Sequence, residues 1–508
     1  MQEEISPEQR STTRGWTPSA ACIIKCVGNA DVWTIFTHKP MKSSLTLLAA
    51  IALASGNSHA AAKPNIVIIF TDDQGYGDLG CFGSKTIRTP HLDRLAKEGR
   101  KFTNFMVASS VCSPSRAALL TGSYPKRVGM HQGVLYPTST IGLNSEEHTV
   151  ADHLKQQGYA TACFGKWHLG HHPETLPTAN GFDTYFGIPY SNDMNHPANK
   201  GKPKGGTEGM DALWKNPESA LTQWQTPLME DEKIIEIPVD QRTITRRCTD
   251  RSLAFIEKNQ KQPFFLYLPY SMPHIPLYVP DDVRDPDPKR AYINTIEHLD
   301  TELGRIFDQL RELKLANNTY VIFTSDNGPW LSFKHHGGSA GPLRDGKMSS
   351  FEGGQRVPCI MWAPGSIPAD TQCDALASTM DLLPTIAAIT GTPLPSDRSI
   401  DGMDISPLLN GETKSIRNDF LYYAKDGGIE GIREGNWKLL DKSPKNKTKP
   451  AAYKDSQAML FNLAKDIGER TNLAAEQPEI VARLRRKMHE QDAAIEVEAR
   501  PVWKKPSA

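Results

Sequence analysis

Two runs of apolar, largely β-branched residues in this chain end abruptly in acidic and amide side chains. The run NIVIIFT is followed directly by Asp72 and Asp73, and the run YVIFTS by Asp326 and Asn327. Such runs are typical of strands that are buried on both faces of a sheet. Because ligands of parallel sheets bind at the carboxyl ends of the strands, the two acidic ends are predicted to lie together.

The order of the elements predicts an α/β fold. A third buried run, PFFLYL at 263–268, and helical patterns at 91–99, 146–157 and 291–315 alternate with the first two runs. This alternation is typical of a large, mostly parallel central sheet sandwiched by helices. We therefore expect one catalytic domain over residues 63–396.

A different pattern begins at about residue 397. Short candidate strands at 420–423, 431–433 and 437–440 precede a helical pattern from 478 to about 493. Short strands close together in sequence indicate a small antiparallel sheet with a terminal helix. Residues 397–508 are therefore predicted to form a C-terminal α+β subdomain.

The N-terminal region contains a candidate export signal. Met41 and Lys42 precede an apolar run at 45–54 that ends in small residues. This pattern predicts a signal peptide over 41–62, a secreted or periplasmic protein and no stable membrane anchor, because the run is too short to span a bilayer. Residues 1–40 have no sustained period and are predicted to be a non-native or disordered extension. The alternative, a genuine extension with a weak apolar patch, leaves export open.

The charge balance excludes some classes of partner. The 508 residues include 58 Lys plus Arg and 58 Asp plus Glu, so neither nucleic acid nor an anionic membrane is favoured. Six cysteines follow the predicted signal peptide without a CxxC pair, which argues against a cysteine-based zinc cluster. Any anionic substrate must therefore be bound by a local site.

The most informative stretch is CSPSRAALLTG, which begins at Cys112. Pro114 favours the first turn of a helix, and Arg116 follows one turn after the cysteine. A thiolate at such a helix entrance is expected to be stabilised. From residue type alone, the alternative is a buried structural thiol.

This stretch resembles the signature of the type I sulfatases of the alkaline phosphatase superfamily, Cys-x-Pro-Ser-Arg followed by Leu-Thr-Gly. In that family a formylglycine-generating enzyme oxidises the cysteine to formylglycine (3-oxoalanine), whose hydrate supplies the nucleophile. The resemblance implies the same modification at Cys112, with Arg116 orienting it. The run GVLYP at 133–137 is similar to the arylsulfatase A group of the family.

A second stretch, GYATACFGKWH at 158–168, also resembles a family signature. Lys166 and His168 alternate with Trp167, so at a strand end both polar side chains would point to one side, toward an anion. Without the resemblance, a Lys-x-His pair is more often a solvated strand edge. The resemblance implies catalytic roles for both residues.

The acidic strand ends supply oxygen ligands for a hard cation. Asp72, Asp73, Asp326 and Asn327 suit Ca²⁺ or Mg²⁺ rather than zinc, although acidic pairs in loops are often only solvated turns. All four match the metal ligands of the family, to which modified Cys112 adds a fifth. An exported site and the family both favour Ca²⁺, with Mg²⁺ as the alternative.

Three further residues correspond to family positions that contact the sulfate group or the leaving oxygen. His274 follows the third buried run at a turn with two prolines, and Lys347 lies in GKMSSFEGG. Ser191 matches a substrate-contacting serine, with a plain loop serine as the alternative. It begins the segment 191–238, which is rich in Pro, Gly, Asn and Lys and is predicted to be a long surface insertion at the substrate entrance.

These residues predict a hydrolase of sulfate monoesters whose substrate is an aryl, carbohydrate or lipid sulfate. In this hypothesis Lys166 and Lys347 neutralise the sulfate oxygens, His274 with Lys347 protonates the leaving oxygen, and His168 takes the proton that regenerates the aldehyde. One alternative is a phosphomonoester or phosphodiester hydrolase of the same superfamily. A remoter one is a non-catalytic protein that binds sulfated glycans.

Overall fold

The structure is a computed structural model that describes residues 63–195, 205–441 and 458–506. The predicted signal peptide and N-terminal extension lie outside the described residues. The strands are β1 Asn65–Thr71, β2 Arg100–Met106, β3 Ile141–Gly142, β4 Ala160–Lys166, β5 Thr184–Ile188, β6 Leu228–Glu230, β7 Lys233–Glu236, β8 Phe264–Leu268, β9 Thr319–Ser325, β10 Arg356–Trp362, β11 Thr371–Cys373, β12 Ala377–Ser378, β13 Asp419–Tyr423, β14 Ile429–Glu434, β15 Trp437–Leu440, β16 Met459–Asn462 and β17 Trp503–Lys504. The α-helices are α1 Pro90–Glu98, α2 Cys112–Thr121, α3 Val150–Lys155, α4 Gly206–Lys215, α5 Glu218–Gln223, α6 Gln241–Lys258, α7 Ala291–Glu312, α8 Glu352–Gln355, α9 Leu382–Thr390, α10 Ser406–Leu409 and α11 Pro478–Val497.

The central sheet is large and mixed, with a parallel middle. Its strand order is β11-β2-β10-β9-β1-β8-β4-β5-β6-β7, and β12 also pairs with β2. Strands β9, β1, β8, β4 and β5 are mutually parallel, whereas β10 and β6 are antiparallel to their neighbours. The predicted α/β class with a mostly parallel sheet is confirmed.

Strand β1 is buried along its whole length because the sheet is covered on both faces. Ile66, Ile68 and Phe70 point into one apolar core, which α2, α3 and α9 cover. Val67 and Ile69 point into the other core, which α1, α6 and α7 cover. The side-chain period of two in a strand explains why a continuous apolar run was needed.

The small sheet has the order β13-β14-β15-β16, and all of its pairs are antiparallel. Together with α11 it confirms the predicted C-terminal sheet and helix. Its core also includes Met106, Ala118 and Tyr124 from the first part of the chain. The domain boundary at residue 396 stays a prediction.

The segment 191–238 contains α4, α5, β6 and β7, although residues 196–204 lie outside the described part. One expectation about local structure was wrong. The helix expected over 146–157 is confined to Val150–Lys155, because Thr149 and Asp152 form a capping box that sets its start. Among the described residues, no helix is both long and apolar enough to cross a membrane.

Candidate active site

The sheet topology brings the polar strand ends together. Strand β1 lies between β8 and β9 and is parallel to both, so Asp72 and Asp73 emerge beside Asp326 and Asn327. Strand β4, on the far side of β8, ends at Lys166. The predicted juxtaposition of the two acidic strand ends is confirmed.

The acidic strand ends are tied to each other by short polar contacts. The backbone N–H of Asp73 donates to Oδ1 of Asp326 at 3.1 Å, and Nδ2 of Asn327 donates to Oδ1 of Asp73 at 2.7 Å. Asp73 has a φ of 63°, a strained region for a non-glycine residue. All four side chains are buried.

The donor set of this cluster fits a hard divalent cation. Oδ1 of Asn327 is buried, and within the described residues it has no hydrogen-bond partner. An orphaned buried oxygen is costly unless another group binds it. Oxygen atoms of Asp72, Asp73 and Asp326 are the other candidate ligands, and Ca²⁺ and Mg²⁺ prefer such ligands.

Buried cations balance the carboxylates. Arg116 donates from Nη2 to Oδ2 of Asp326 at 2.8 Å and lies 3.3 Å from Oδ2 of Asp72, while Lys166 Nζ lies 2.5 Å from Oδ2 of Asp72. Burial acts to raise the pKa of Asp72, but the charges of Lys166 and other nearby cations hold it well below its usual value. Burial and the charge of Asp72 raise the pKa of Asp326 to about 7. A cation bound among these oxygens would offset the repulsion between them.

Cys112 lies directly above this cluster, at the first residue of α2. Its Sγ is 3.4 Å from Oδ1 of Asp72 and 3.7 Å from Nζ of Lys347. Burial and the charges of Asp326 and Asp72 raise the pKa of the Cys112 thiol well above its usual value. The expectation of a stabilised thiolate at the helix entrance was therefore wrong, because burial and the two carboxylates outweigh the lysines.

Lys347 and His274 line the other side of Cys112. Nζ of Lys347 is 2.6 Å from Oδ1 of Asp73. His274 directs Nε2 toward Oδ2 of Asp73 at 3.6 Å, while its Nδ1 is held 2.6 Å from the carbonyl oxygen of Ile275. Burial and the charge of Lys347 lower the pKa of His274.

His168 and Ser191 complete the set. Nε2 of His168 is 2.8 Å from the carbonyl oxygen of Leu135, and among the described residues its buried Nδ1 has no partner. Burial, followed by the charges of Lys166 and Arg116, lowers the pKa of His168 well below its usual value. Ser191 accepts a hydrogen bond from Nζ of Lys166 at 3.1 Å. All of the site residues predicted from the sequence are thus brought together.

A cavity of about 510 Å³ opens above Cys112. His168, Ser191, His274 and Lys347 line it together with Cys112, whereas the acidic cluster, Arg116 and Lys166 lie beneath. Met194 lines the cavity from the segment predicted to lie at the substrate entrance. The lining residues that were not identified from the sequence include Gln132, Tyr136, Trp330, Met348, Lys425 and Asp426. Trp330 contacts two of the predicted site residues, since its ring lies 4.4 Å from Nζ of Lys347 and 5.5 Å from the ring of His274. Its position three residues after Asn327 was a usable signal.

Comparisons with known proteins agree with this architecture. A family model described as Sulfatase matches residues 64–392. The chain is 36% identical to arylsulfatase G of Rattus norvegicus, over 82% of this chain and 84% of that protein. It is 38% identical to arylsulfatase A of Homo sapiens, over 86% and 89% of the two chains. The crystal structure of PsFucS1 sulfatase from Pseudoalteromonas sp. superposes with a TM-score of 0.73 at 26% identity, and covers 87% of this chain and 92% of its own.

The fold and the cluster at the strand ends define a hydrolase with an alkaline-phosphatase-like fold. The family model that matches residues 64–392 assigns the chain to one family within that class. The chain belongs to the sulfatase family, and it is an enzyme of the sulfuric ester hydrolase type.

Proposed function

We propose that this enzyme cleaves sulfate monoesters of an aryl, carbohydrate or lipid substrate through formylglycine at position 112, with one Ca²⁺ held by Asp72, Asp73, Asp326 and Asn327. The observation that carries the proposal is the position of Cys112. It lies between a set of oxygen ligands below and a cavity lined by Lys347, His274 and His168 above.

The two groups that the chain must acquire have separate tasks. Oxidised position 112 would supply the oxygen that attacks sulfur. Ca²⁺ would lower the negative charge on the sulfate oxygens. Because Asn327 Oδ1 has no partner among the described residues, a bound ion would supply the interaction that this buried oxygen lacks.

The charged residues of the site would bind and orient the sulfate group. Nζ of Lys347 borders the cavity and is 3.7 Å from Sγ of Cys112, so it can reach an oxygen of a sulfate placed above position 112. Lys166 is fully buried against Asp72 and Ser191. It would act on the sulfate through Ser191, which lines the cavity, and Arg116 would keep Asp326 in place.

The two histidines are proposed to make opposite proton transfers. Nδ1 of His274 donates to the carbonyl of Ile275, so Nε2 of the neutral ring is a lone pair, and His274 would carry a proton to the leaving oxygen, with Lys347, as an imidazolium that is protonated on Nε2 as well. Nε2 of His168 donates to the carbonyl of Leu135, which leaves its buried Nδ1 as a lone pair. The lowered pKa of His168 keeps that ring neutral. His168 would therefore accept the proton released when sulfate departs.

The first experiment combines peptide mass spectrometry with an activity assay. The tryptic fragment 102–116 contains position 112, and an aldehyde there together with turnover of an aryl sulfate is the expected result. Full activity with an unmodified cysteine would overturn the mechanism. An aryl phosphate assayed in parallel addresses the alternative chemistry, because faster phosphate release would identify a phosphomonoesterase. Binding of sulfated glycans without turnover of any sulfate ester would instead identify the non-catalytic alternative.

The metal proposal has its own test. Chelation with EGTA should remove activity, and Ca²⁺ should restore it better than Mg²⁺. In Asn327→Ala the Ca²⁺ concentration needed for half-activity should rise roughly 100-fold, as for loss of a ligand or its support. Restoration by Mg²⁺ alone would contradict the choice of ion.

Maturation and export complete the proposal. A formylglycine-generating enzyme would be the partner during synthesis, since Cys112 becomes buried in the folded chain. Sequencing the N-terminus of protein from its own host tests the signal peptide over 41–62. A chain that begins near residue 63 is expected, and one that keeps residues 1–62 would contradict export.

A further inference from the structure

A second group of metal-ligand side chains lies outside the active-site cavity. Asp211 of α4 faces His335 and His336, which end the 3-10 turn Leu331–His336. Nε2 of His335 is 2.7 Å and Nε2 of His336 is 2.9 Å from the same carboxylate oxygen, Oδ1 of Asp211. One ligand atom from each residue lies within 4.8 Å of the others.

The packing around α4 explains why the three residues meet. Met210, Leu213 and Trp214 on the apolar side of this helix are buried in a cluster against which Trp330 and Phe333 pack. Phe333 belongs to the turn that ends in the two histidines, and Trp330 immediately precedes that turn. Docking of the apolar side of α4 therefore brings Asp211 to the histidines.

The arrangement of ligand atoms suits a cation. Without a cation, Oδ1 of Asp211 accepts N–H groups from both imidazole rings, which then carry their protons on Nε2. Among the described residues, the buried Nδ1 of His336 has no partner to fix that tautomer. With a cation, both Nε2 lone pairs and the carboxylate oxygen become ligands of one centre.

The ordinary charge states of these side chains suit metal binding near neutral pH. A metal requires deprotonated ligands, and an ionised carboxylate and a neutral imidazole are both available there.

The ligand types select the ion. Two imidazole nitrogens and one carboxylate oxygen suit zinc, unlike the all-oxygen cluster at the strand ends. His336 is 1% exposed, whereas the side chains of His335 and Asp211 are 28% and 29% exposed. Three protein ligands with one open side leave room for a water molecule as the fourth ligand, and for entry of the ion.

We propose that Asp211, His335 and His336 bind one Zn²⁺ that fastens α4 to the turn Leu331–His336. That turn follows Trp330, whose ring lies 4.4 Å from Nζ of Lys347. A zinc ion here would therefore stabilise one wall of the active-site cavity without contacting the substrate. The site is independent of the proposed chemistry at position 112.

The test is a zinc titration of the full mature chain without a polyhistidine tag. Saturating Ca²⁺ is kept present so that the oxygen cluster does not take up zinc. The wild-type protein should bind one Zn²⁺ per chain with a Kd in the micromolar range or below, measured against a chromogenic chelator. Its thermal midpoint should rise with zinc.

Two half-exposed positions provide the variants, and a distant histidine provides the control. Asp211→Asn and His335→Gln preserve side-chain shape, and each should weaken zinc binding roughly 100-fold and abolish the thermal shift. His489→Gln alters an exposed histidine of α11 and should behave as wild type. Co²⁺ gives an independent reading, because visible absorption bands of a four-coordinate site should appear in wild type and change in Asp211→Asn.

Two outcomes would overturn the zinc proposal. If the wild-type protein bound no zinc in the presence of saturating Ca²⁺, the proposal would be overturned, whatever the variants do. Equal zinc affinity in wild type and Asp211→Asn would place the bound ion elsewhere and would overturn it too. Sulfatase activity plays no part in these readouts, so failure of the proposed function would leave the result intact.

Discussion

Cys112 is surrounded by charged groups rather than by apolar side chains. Its Sγ lies within 3.7 Å of both Asp72 and Lys347, and its helix begins at the floor of the cavity. A serine fits the same space but cannot be oxidised to the aldehyde. Cys112→Ser should therefore use its hydroxyl once: the serine oxygen bonds to sulfur, the ester oxygen leaves with a proton, and the sulfated serine persists.

The expected readout is a burst of alcohol that stops at one equivalent per chain, with the mass of one SO₃ group added to fragment 102–116. Cys112→Ala, which has no nucleophile, should give neither signal and serves as the matched control. Continuous turnover by Cys112→Ser would contradict the requirement for the aldehyde hydrate.

His274 allows a prediction about the leaving group. A residue that protonates the leaving oxygen matters most when that oxygen is a poor leaving group. His274→Asn keeps a donor in place of Nδ1 but has no proton to give at the position of Nε2. The variant should lose about 10²–10⁴-fold in kcat/KM on an alkyl sulfate and clearly less on nitrophenyl sulfate. Equal losses on the two substrates would argue that His274 only binds sulfate.

At the scale of elements, the loop after β9 packs on α8 with no space for a side chain. A Cβ on Gly328 would lie 1.8 Å from the carbonyl oxygen of Gly353, and the Gly328 N–H donates to the carbonyl of Gly354 at 3.1 Å. Gly328→Ala should therefore displace the neighbouring Asn327. We expect a higher Ca²⁺ concentration for half-activity together with a destabilisation of about 1–3 kcal/mol.

The control for this substitution is Gly205→Ala, because a Cβ at Gly205 meets nothing within 4 Å. Its Ca²⁺ response and its urea midpoint should match wild type. If Gly328→Ala also matched wild type in both measurements, the packing of α8 on the loop after β9 would not determine the position of Asn327.

The elements that the sequence predicted best are those with a single strong cause. Strands β1, β8 and β9 were found within a residue because burial on both faces requires a continuous apolar run, which polar residues then end. The start of α3 was misplaced although its capping box was visible in the sequence. Helix α4 was missed because its apolar side, Met210 with Leu213 and Trp214, lies in a segment rich in Pro and Gly.

The site was predictable to the extent that it follows from strand order. Parallel neighbours of β1 place both acidic ends at one edge, and the family resemblance supplied the residues that come from loops. The cluster of Asp211 with His335 and His336 depends on how α4 docks against a distant turn. No local pattern encodes such packing, so only the structure revealed this cluster.

At the scale of the whole molecule, one buried carboxylate connects the two sheets. Glu352 begins α8, just after the loop that carries Lys347, and it meets Lys438 of β15 at 3.0 Å and the hydroxyl of Tyr422 of β13 at 2.7 Å. Arg433 of β14 lies 3.6 Å from its other oxygen. These contacts fix the small sheet to α8, which follows the loop that carries Lys347.

Removing the charge of Glu352 should weaken that connection. Burial acts to raise the pKa of Glu352, but Lys438, Arg433 and Arg356 hold it below its ordinary 4.5. A lowered pKa means that the stabilisation is present above pH 4.5 and is lost as the pH falls toward the folded-state value. Glu352→Gln removes the carboxylate that Lys438 and Arg433 share, although Lys438 keeps Glu469 at 2.8 Å, so its unfolding free energy at pH 7 should be about 1–3 kcal/mol lower than that of wild type.

Urea unfolding at pH 7 and again at pH 4 measures this difference, which should shrink at the lower pH. Asp282→Asn is the matched control, because Asp282 is 62% exposed and pairs with Arg246 only at the surface. Exposed pairs contribute little, so this variant should unfold like wild type at both pH values. If Glu352→Gln were as stable as wild type at pH 7, the ion cluster would not stabilise the junction between the sheets, and the apolar core that they share would have to hold them together alone.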